Sequence, residues 1–173
     1  MSRKMSILKF EPRTRRDLYE MCQYLIDPNK TDYRGLLGFS VNPLQAAKEM
    51  EFTQLMYHKE KMWHPYLQII FSFDWGMEIP VDSARMICIE IGKALLPDRR
   101  QCLGAIHFKK TNHIHCHYLV NNISIDGELA YTQYHYILEY YDKINAILKK
   151  YRMNEISLLY RSRQCKRKIN RWI

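Results

Sequence analysis

The first sixth of the chain shows a strand pattern and then a helix pattern. Residues 5–10 alternate weakly between apolar and polar side chains, which predicts a first strand closed by Pro12. In the segment that follows, apolar side chains recur at helical spacing, and they are Leu18, Met21, Cys22 and Leu25. Thr14 with Asp17 three residues later is typical of a capping box at the start of this helix, and Pro28 ends it.

The middle of the chain predicts a connection, then two helices on either side of an apolar strand. Residues 30–41 contain two glycines and predict a connection without regular structure. The Asn-Pro pair at residues 42–43 predicts the start of a helix that reaches about residue 58. Residues 67–73 are mostly apolar and predict a strand, and residues 80–97 predict an amphipathic helix.

The end of the chain completes the predicted domain. Residues 126–131 predict a hairpin turn and a short strand, residues 134–151 predict a long helix, and residues 156–159 predict a return to the sheet. This order of elements predicts an α+β domain over residues 1–160, with a central, mainly antiparallel sheet and helices packed on one face. Residues 161–173 are basic without clear periodicity, and they are interpreted as a C-terminal extension or the start of a truncated downstream region.

Composition and charge limit the class of protein. A chain of 173 residues that is 47% hydrophobic and 13% aromatic is expected to form a folded domain with a substantial core. No apolar run approaches the length of a membrane span and the N-terminus does not resemble a signal peptide, so we expect a cytoplasmic protein without membrane insertion. The five cysteines show no close pairing and are expected to be reduced. A net charge of +9 favours a polyanionic partner, with nucleic acid preferred over a membrane surface.

The stretch from residue 112 to residue 122 carries His113, His115 and His117 at every second position. On a strand, alternate side chains share a face, so the three imidazoles would point the same way and the apolar residues between them would point to the core. Neutral imidazole is a common ligand of divalent metal ions, so this pattern predicts a metal site. Because the outer two of three alternate residues are too far apart to share an ion comfortably, a third ligand should come from a neighbouring strand, and His107 is the candidate.

The position of His107 depends on the connection between the strand at residues 101–108 and the histidine strand. With an odd number of loop residues, His107 shares the face of the histidines, and with an even number it points to the other face. The sequence therefore leaves the choice between His107 and His113 open. Three imidazoles by themselves favour Zn²⁺.

The same residues resemble the relaxase, or mobilisation nuclease, domains of conjugative and mobilisable elements, which are members of the HUH endonuclease superfamily. That name refers to two histidines separated by one bulky hydrophobic residue, as in residues 113–115, and residues 115–121 match the family's ligand pair and trailing asparagine. Residues 23–31 are similar to the family's tyrosine segment. Shorter similarities lie at residues 51–53, 71–73 and 105–107. The resemblance implies an HUH-endonuclease-like fold.

The resemblance also implies a reaction and the residues that perform it. Tyr24 would be the nucleophile, and His107, His115 and His117 the metal ligands. The reaction would be a site- and strand-specific transesterification at an origin of transfer, leaving a 5′-phosphotyrosine and a free 3′-hydroxyl. The implied metal is Mg²⁺ or Mn²⁺, and the implied partners are single-stranded DNA and accessory relaxosome and coupling proteins.

Several alternatives accompany this interpretation. Tyr19 and Tyr33 are alternative nucleophiles, while Lys30, Arg34 and Asn121 are candidate DNA contacts. One alternative function is a rolling-circle replication initiator of the same superfamily. The others are a metal-dependent hydrolase without a covalent intermediate and a basic, non-nicking module that binds single-stranded DNA.

Overall fold

The computed structural model describes residues 6–96, 99–129 and 134–156. They form a five-stranded antiparallel sheet in the order β1-β3-β5-β4-β2, which confirms the predicted α+β class. The strands are β1 (Ile7–Arg13), β2 (Leu36–Phe39), β3 (Tyr66–Ser72), β4 (Arg100–His107) and β5 (His115–Ser124). The helices are α1 (Leu18–Leu25), α2 (Ala46–Met56), α3 (Val81–Leu95) and α4 (Tyr134–Lys150).

The larger core lies between the sheet and helices α3 and α4. The apolar stripe predicted for α3 is buried here, and its members are Ala84, Ile87, Cys88, Ile91 and Leu95. Cys116, Tyr118 and Val120 of β5 point to the same core, as period-two alternation requires. The Tyr118 hydroxyl donates a hydrogen bond of 2.7 Å to the Cys88 carbonyl, so its polar atom is satisfied inside the core.

Helices α1 and α2 cover part of the opposite face of the sheet. The prediction placed helices on one face, and the structure adds this second layer. Leu103, Ala105 and Leu119 are apolar and buried on that face, where they pack with Leu18 and Met50 of the two helices. Because the strands carry apolar residues on both faces, both faces need a layer of helices.

The two edge strands and helix α2 differ from the predictions. The predicted connection at residues 30–41 contains β2, a four-residue edge strand whose pattern is too short to recognise. The helix predicted from Pro43 begins at Ala46, because Asn42 Oδ1 accepts a hydrogen bond of 3.0 Å from the Leu44 N–H and caps a turn instead. Strand β1 continues through Pro12, and an edge strand tolerates a proline because its outer side pairs with no strand among the described residues.

The remaining predictions concern the cysteines and the end of the chain. The four described cysteines are buried and unpaired, and no described helix is long and apolar enough to cross a membrane. Around the predicted 126–131 turn, Gly127 has a positive φ of 87° and Ile123 forms an isolated bridge with Leu129. Of the return to the sheet predicted at residues 156–159, only Ile156 is described, and it is buried outside any strand. Residues 157–159 and the basic segment at 161–173 lie outside the described residues.

Candidate metal centre

Three histidines meet where β4 ends and β5 begins. His107 is the last residue of β4 and pairs directly with His115, the first residue of β5. His117 follows two residues later on the same face, as period-two alternation requires. One ring nitrogen from each of the three lies within 4.8 Å of the others. The connection at residues 108–114 has an odd number of residues, which is the case in which His107 shares the face of the histidine strand.

Backbone carbonyls fix the orientation of two of the rings. His107 Nε2 lies 3.0 Å from the Leu25 carbonyl, and His115 Nδ1 lies 2.8 Å from the His113 carbonyl. A carbonyl oxygen only accepts hydrogen bonds, so each of these nitrogens carries the ring proton. The lone pair then lies on His107 Nδ1 and on His115 Nε2, which are free to ligate a cation.

His117 has a different environment. Its Nδ1 lies 2.9 Å from the side-chain nitrogen of Gln68. Its Nε2 is buried and has no hydrogen-bond partner among the described residues. This nitrogen belongs to the set of three ring nitrogens that could share an ion, and a bound cation would satisfy it in the tautomer in which it presents a lone pair.

Burial keeps the cluster neutral. Desolvation is the largest cause in each case, and it lowers the pKa of His107 to about 4 and that of His117 to about 2. The pKa of His115 is also lowered, again chiefly by burial and also by the charge of His113. Uncharged imidazoles at neutral pH are the form that binds metal ions, so these residues fit a divalent cation.

His113 is not a member of this set of three ring nitrogens. The expectation placed all three alternate histidines on one strand, but β5 begins only at His115, and His113 lies in the connection before it with its ring centroid 5.8 Å from that of His115. The His113 ring packs against Trp75, with ring centroids 5.0 Å apart. The backbone carbonyl of His113 accepts the hydrogen bond from His115 Nδ1. Of the two candidates for the third position, the structure brings His107 into the cluster.

Tyr24 lies beside the cluster on α1. Its ring centroid is 5.3 Å from that of His107 and 5.5 Å from that of His117, and 40% of the residue is exposed. Helix α1 fixes the position of Tyr24 through the next residue, Leu25. The Leu25 side chain is buried in the core, and the Leu25 carbonyl accepts a hydrogen bond from His107. The ammonium of Lys30 lies 3.4 Å from the Tyr24 ring centroid. An accessible phenol and a cation therefore border the three imidazoles.

The two alternative tyrosines have other surroundings. The Tyr19 hydroxyl donates a hydrogen bond of 2.7 Å to Glu51, and this bond is the largest cause of a raised pKa at Tyr19. A raised pKa opposes formation of the phenolate that a nucleophile needs. Tyr33 is 83% exposed, in the turn before β2. Among the three tyrosines, it is the Tyr24 ring that packs against the described imidazoles.

The candidate DNA contacts differ in how accessible their polar atoms are. Asn121 is completely buried, and its side-chain amide bonds to Gln54, Gln101 and the Met50 carbonyl. A side chain with no exposed surface cannot contact DNA, so Asn121 is removed from that set and is interpreted as a structural residue. Arg34 is exposed, but its guanidinium forms an ion pair of 2.9 Å with Asp32.

Sequence patterns did not single out Gln68 or Arg13, although both belong to the site. Gln68 is a buried polar residue within the mostly apolar β3, and Arg13 Nε donates to its Oε1 at 2.8 Å. The signal available in the sequence was the single amide among the apolar residues 67–71.

Comparison with known proteins gives the same picture of the fold. The family model described as "Relaxase: MobA/VirD2-like, nuclease domain" matches residues 24–154. A structure reported in "Molecular Basis of Vancomycin Resistance Transfer in Staphylococcus aureus" is 10% identical, with a TM-score of 0.59 over 88% of this chain and 97% of that chain. The conjugative relaxase TrwC, in a metal-bound complex with oriT DNA, is 12% identical, with a TM-score of 0.51 over 83% of this chain and 70% of its own. A comparison with curated proteins finds no significant match.

Proposed function

The chain belongs to the MobA/VirD2-like relaxase nuclease family, and from this premise we propose that it nicks single-stranded DNA through a covalent bond to Tyr24. The family assignment confirms the resemblance found in the sequence and implies a DNA endonuclease with a role in mobilisation. The observation that carries the finer proposal is the position of Tyr24, whose ring lies within 5.5 Å of the imidazoles of both His107 and His117.

The proposed reaction is an exchange of one phosphate ester for another. The Tyr24 oxygen attacks the scissile phosphorus, the bond from phosphorus to the 3′-oxygen breaks, and the 5′-phosphate remains on the tyrosine. The phenol releases its proton to solvent, and the departing 3′-oxygen takes one up. The ester bond is conserved in the adduct, so the strand can be rejoined by the reverse reaction.

The surrounding residues support this chemistry. A divalent cation held by His107, His115 and His117 would polarise the scissile phosphate, and Mg²⁺ or Mn²⁺ is the proposed ion. The Lys30 ammonium, 3.4 Å from the Tyr24 ring centroid, supplies a positive charge for the phosphate and for the phenolate that forms. We assign the substrate as single-stranded DNA at an origin of transfer, in line with the oriT complex of the similar TrwC structure.

The test is the formation of a covalent protein–DNA adduct. The protein is incubated with Mn²⁺ and labelled single strands that tile the DNA flanking its gene, and the products are separated under denaturing conditions. We expect one strand to yield a slow-migrating adduct that EDTA prevents. Tyr24→Phe should abolish the adduct and Tyr33→Phe, the matched control, should retain it.

Two results would contradict the proposal. Cleavage that persists in Tyr24→Phe would mean that a water-derived nucleophile hydrolyses the strand. Metal-independent binding of single strands, with no cleavage by the folded wild-type protein at any tiled sequence, would indicate a non-nicking DNA-binding module.

A further inference from the structure

Gln68 connects the histidine cluster to the edge of the sheet. It is 2% exposed, and its side chain lies between Arg13 of the neighbouring β1 and the His117 ring of β5. Arg13 donates to Gln68 Oε1 from Nε at 2.8 Å and from Nη2 as well. The same Nη2 forms an ion pair of 2.7 Å with Glu11.

The guanidinium determines which way the amide faces. All the polar atoms of an arginine side chain are donors, so the Gln68 oxygen must point towards Arg13 and the nitrogen towards His117. An amide nitrogen only donates, so His117 Nδ1, at 2.9 Å, must carry the lone pair. In the neutral ring the proton then lies on Nε2, the buried nitrogen for which the described part of the chain offers no hydrogen-bond partner.

This proton position is the reverse of the one that ligation requires. The partners of His107 and His115 are carbonyl oxygens, which leave a lone pair for a cation. Metal-bound histidines almost always donate their other ring N–H to an oxygen. At His117 the corresponding partner is a donor, so the third imidazole faces the cluster with a proton instead of a lone pair.

We propose that Arg13 and Gln68 are positioning residues that hold His117 in a tautomer unable to bind metal, so that loading the site requires the Gln68 amide to turn over. This inference rests on the proposed metal centre. After the turn, Gln68 Oε1 accepts the proton on His117 Nδ1, and Nε2 presents its lone pair. The proton moves from Nε2 to Nδ1 by exchange with solvent, so the ring gains or loses no charge. Arg13 keeps Glu11 as its partner.

The pair therefore lowers the metal affinity of the site. Gln68→Glu places an oxygen on both sides, so residue 68 can accept from Arg13 and from His117 Nδ1–H together. We expect this variant to bind Mn²⁺ on the order of 10 to 100 times more tightly than wild type. Arg13→Met removes the constraint on the amide but keeps the apolar stem, so it should raise the affinity by a smaller factor.

The first experiment measures the tautomers directly. Long-range ¹H–¹⁵N correlation spectra of the metal-free wild-type protein should place the His117 proton on Nε2, the His107 proton on Nε2 and the His115 proton on Nδ1. Gln68→Glu should move only the His117 proton, to Nδ1. A wild-type spectrum with the His117 proton already on Nδ1 would overturn the proposal.

The second experiment is calorimetric titration with Mn²⁺. Gln45→Glu is the control, because it makes the same amide-to-acid change at an exposed position before α2. Equal affinities for wild type, Gln68→Glu and Arg13→Met would overturn the role of the pair while leaving the metal centre intact. Absence of binding in every variant would instead refute the metal centre itself. Thermal unfolding in EDTA checks that each variant is folded. If Gln68→Glu does not fold, the position of the His117 proton in the wild-type spectrum still tests the proposal.

Discussion

His107 and His117 expose 2% and 4% of their surfaces, and this burial lowers their pKa values to about 4 and about 2. In the unfolded chain the same imidazoles bind protons near pH 6.5. Above that pH each imidazole is neutral in both the folded and the unfolded state, so its burial does not require the loss of a proton. As the pH falls below it, the unfolded state gains protons that the folded state does not bind, and folding is disfavoured.

We therefore expect the metal-free protein to lose stability steadily between pH 6.5 and pH 5. The slope is about 1.4 kcal/mol per pH unit for each histidine protonated only in the unfolded state. Denaturant unfolding in EDTA at pH 7, 6 and 5 measures it, and His117→Asn should reduce the slope by about one such contribution. His58→Asn, at an exposed position, is the control. A His117→Asn slope equal to that of wild type would contradict the burial argument.

At the scale of single residues, the sequence predicted that histidines would cluster, but it did not predict every member or partner of the cluster. Period-two spacing was enough to place His115 and His117 on one face, and an odd number of residues in the connection was the condition for His107 to join them. The start of β5 was not predictable, because it depends on how the connection at residues 108–114 folds, and so His113 was misplaced. The role of Gln68 depends on the amide orientation that Arg13 imposes across two strands, which no local pattern contains.

Among the elements, α3 shows how one residue adapts a helix to its neighbour. Gly92 lies within α3, where alanine would ordinarily stabilise a helix by about 1 kcal/mol. Here an added Cβ would lie 2.9 Å and 3.0 Å from Cε1 and Cε2 of Phe39, on β2. Because the Phe39 ring lies so close to the helix backbone, we expect alanine at position 92 to destabilise the protein instead of stabilising it.

We expect Gly92→Ala to lower the free energy of unfolding by about 1–3 kcal/mol, the usual effect of overpacking. Urea unfolding of the single and double variants measures the effect. In a Phe39→Leu background the same change should be less destabilising, because the smaller side chain leaves room for the Cβ. Stabilisation by Gly92→Ala in the wild-type background would contradict the packing described.

Element prediction succeeded where the pattern was long. Helix α3 has fifteen residues and was recognised from its apolar stripe. Strand β2 has four residues, one of them Gly38, and its identity comes from pairing with β4, not from its own pattern. The second helical layer was also outside the reach of local patterns, because it follows from the apolar face that Leu103, Ala105 and Leu119 present together.

Over the whole molecule, the net charge of +9 accounts for attraction to a nucleic acid but not for where it binds. The basic side chains of the described residues differ in whether an acidic side chain already offsets their charge. Arg34 is paired with Asp32, and Lys150 with Glu90 on the helical layer formed by α3 and α4. Lys30 lies instead over the Tyr24 ring, beside the histidines. We therefore expect the DNA to follow a path that contacts Lys30 and does not contact Lys150.

Salt dependence tests this path. Lys30→Gln should weaken binding of a single-stranded oligonucleotide and reduce the slope of log K against log salt by about 0.7, the value for one lost phosphate contact. Arg34→Gln should have a smaller effect, because Asp32 already offsets that charge. Lys150→Gln is the control and should leave the slope unchanged. Fluorescence anisotropy between 50 and 300 mM salt measures all three, and an equal slope for wild type and Lys30→Gln would remove Lys30 from the contact set.

The central claim is that Tyr24 becomes esterified to DNA beside the histidine cluster. Its most direct test is mass spectrometry of the denatured, protease- and nuclease-digested adduct of the wild-type protein, with fragment ions that separate Tyr19 from Tyr24 within one peptide. We expect a nucleotide phosphate on Tyr24. A nucleotide on any other residue would contradict it.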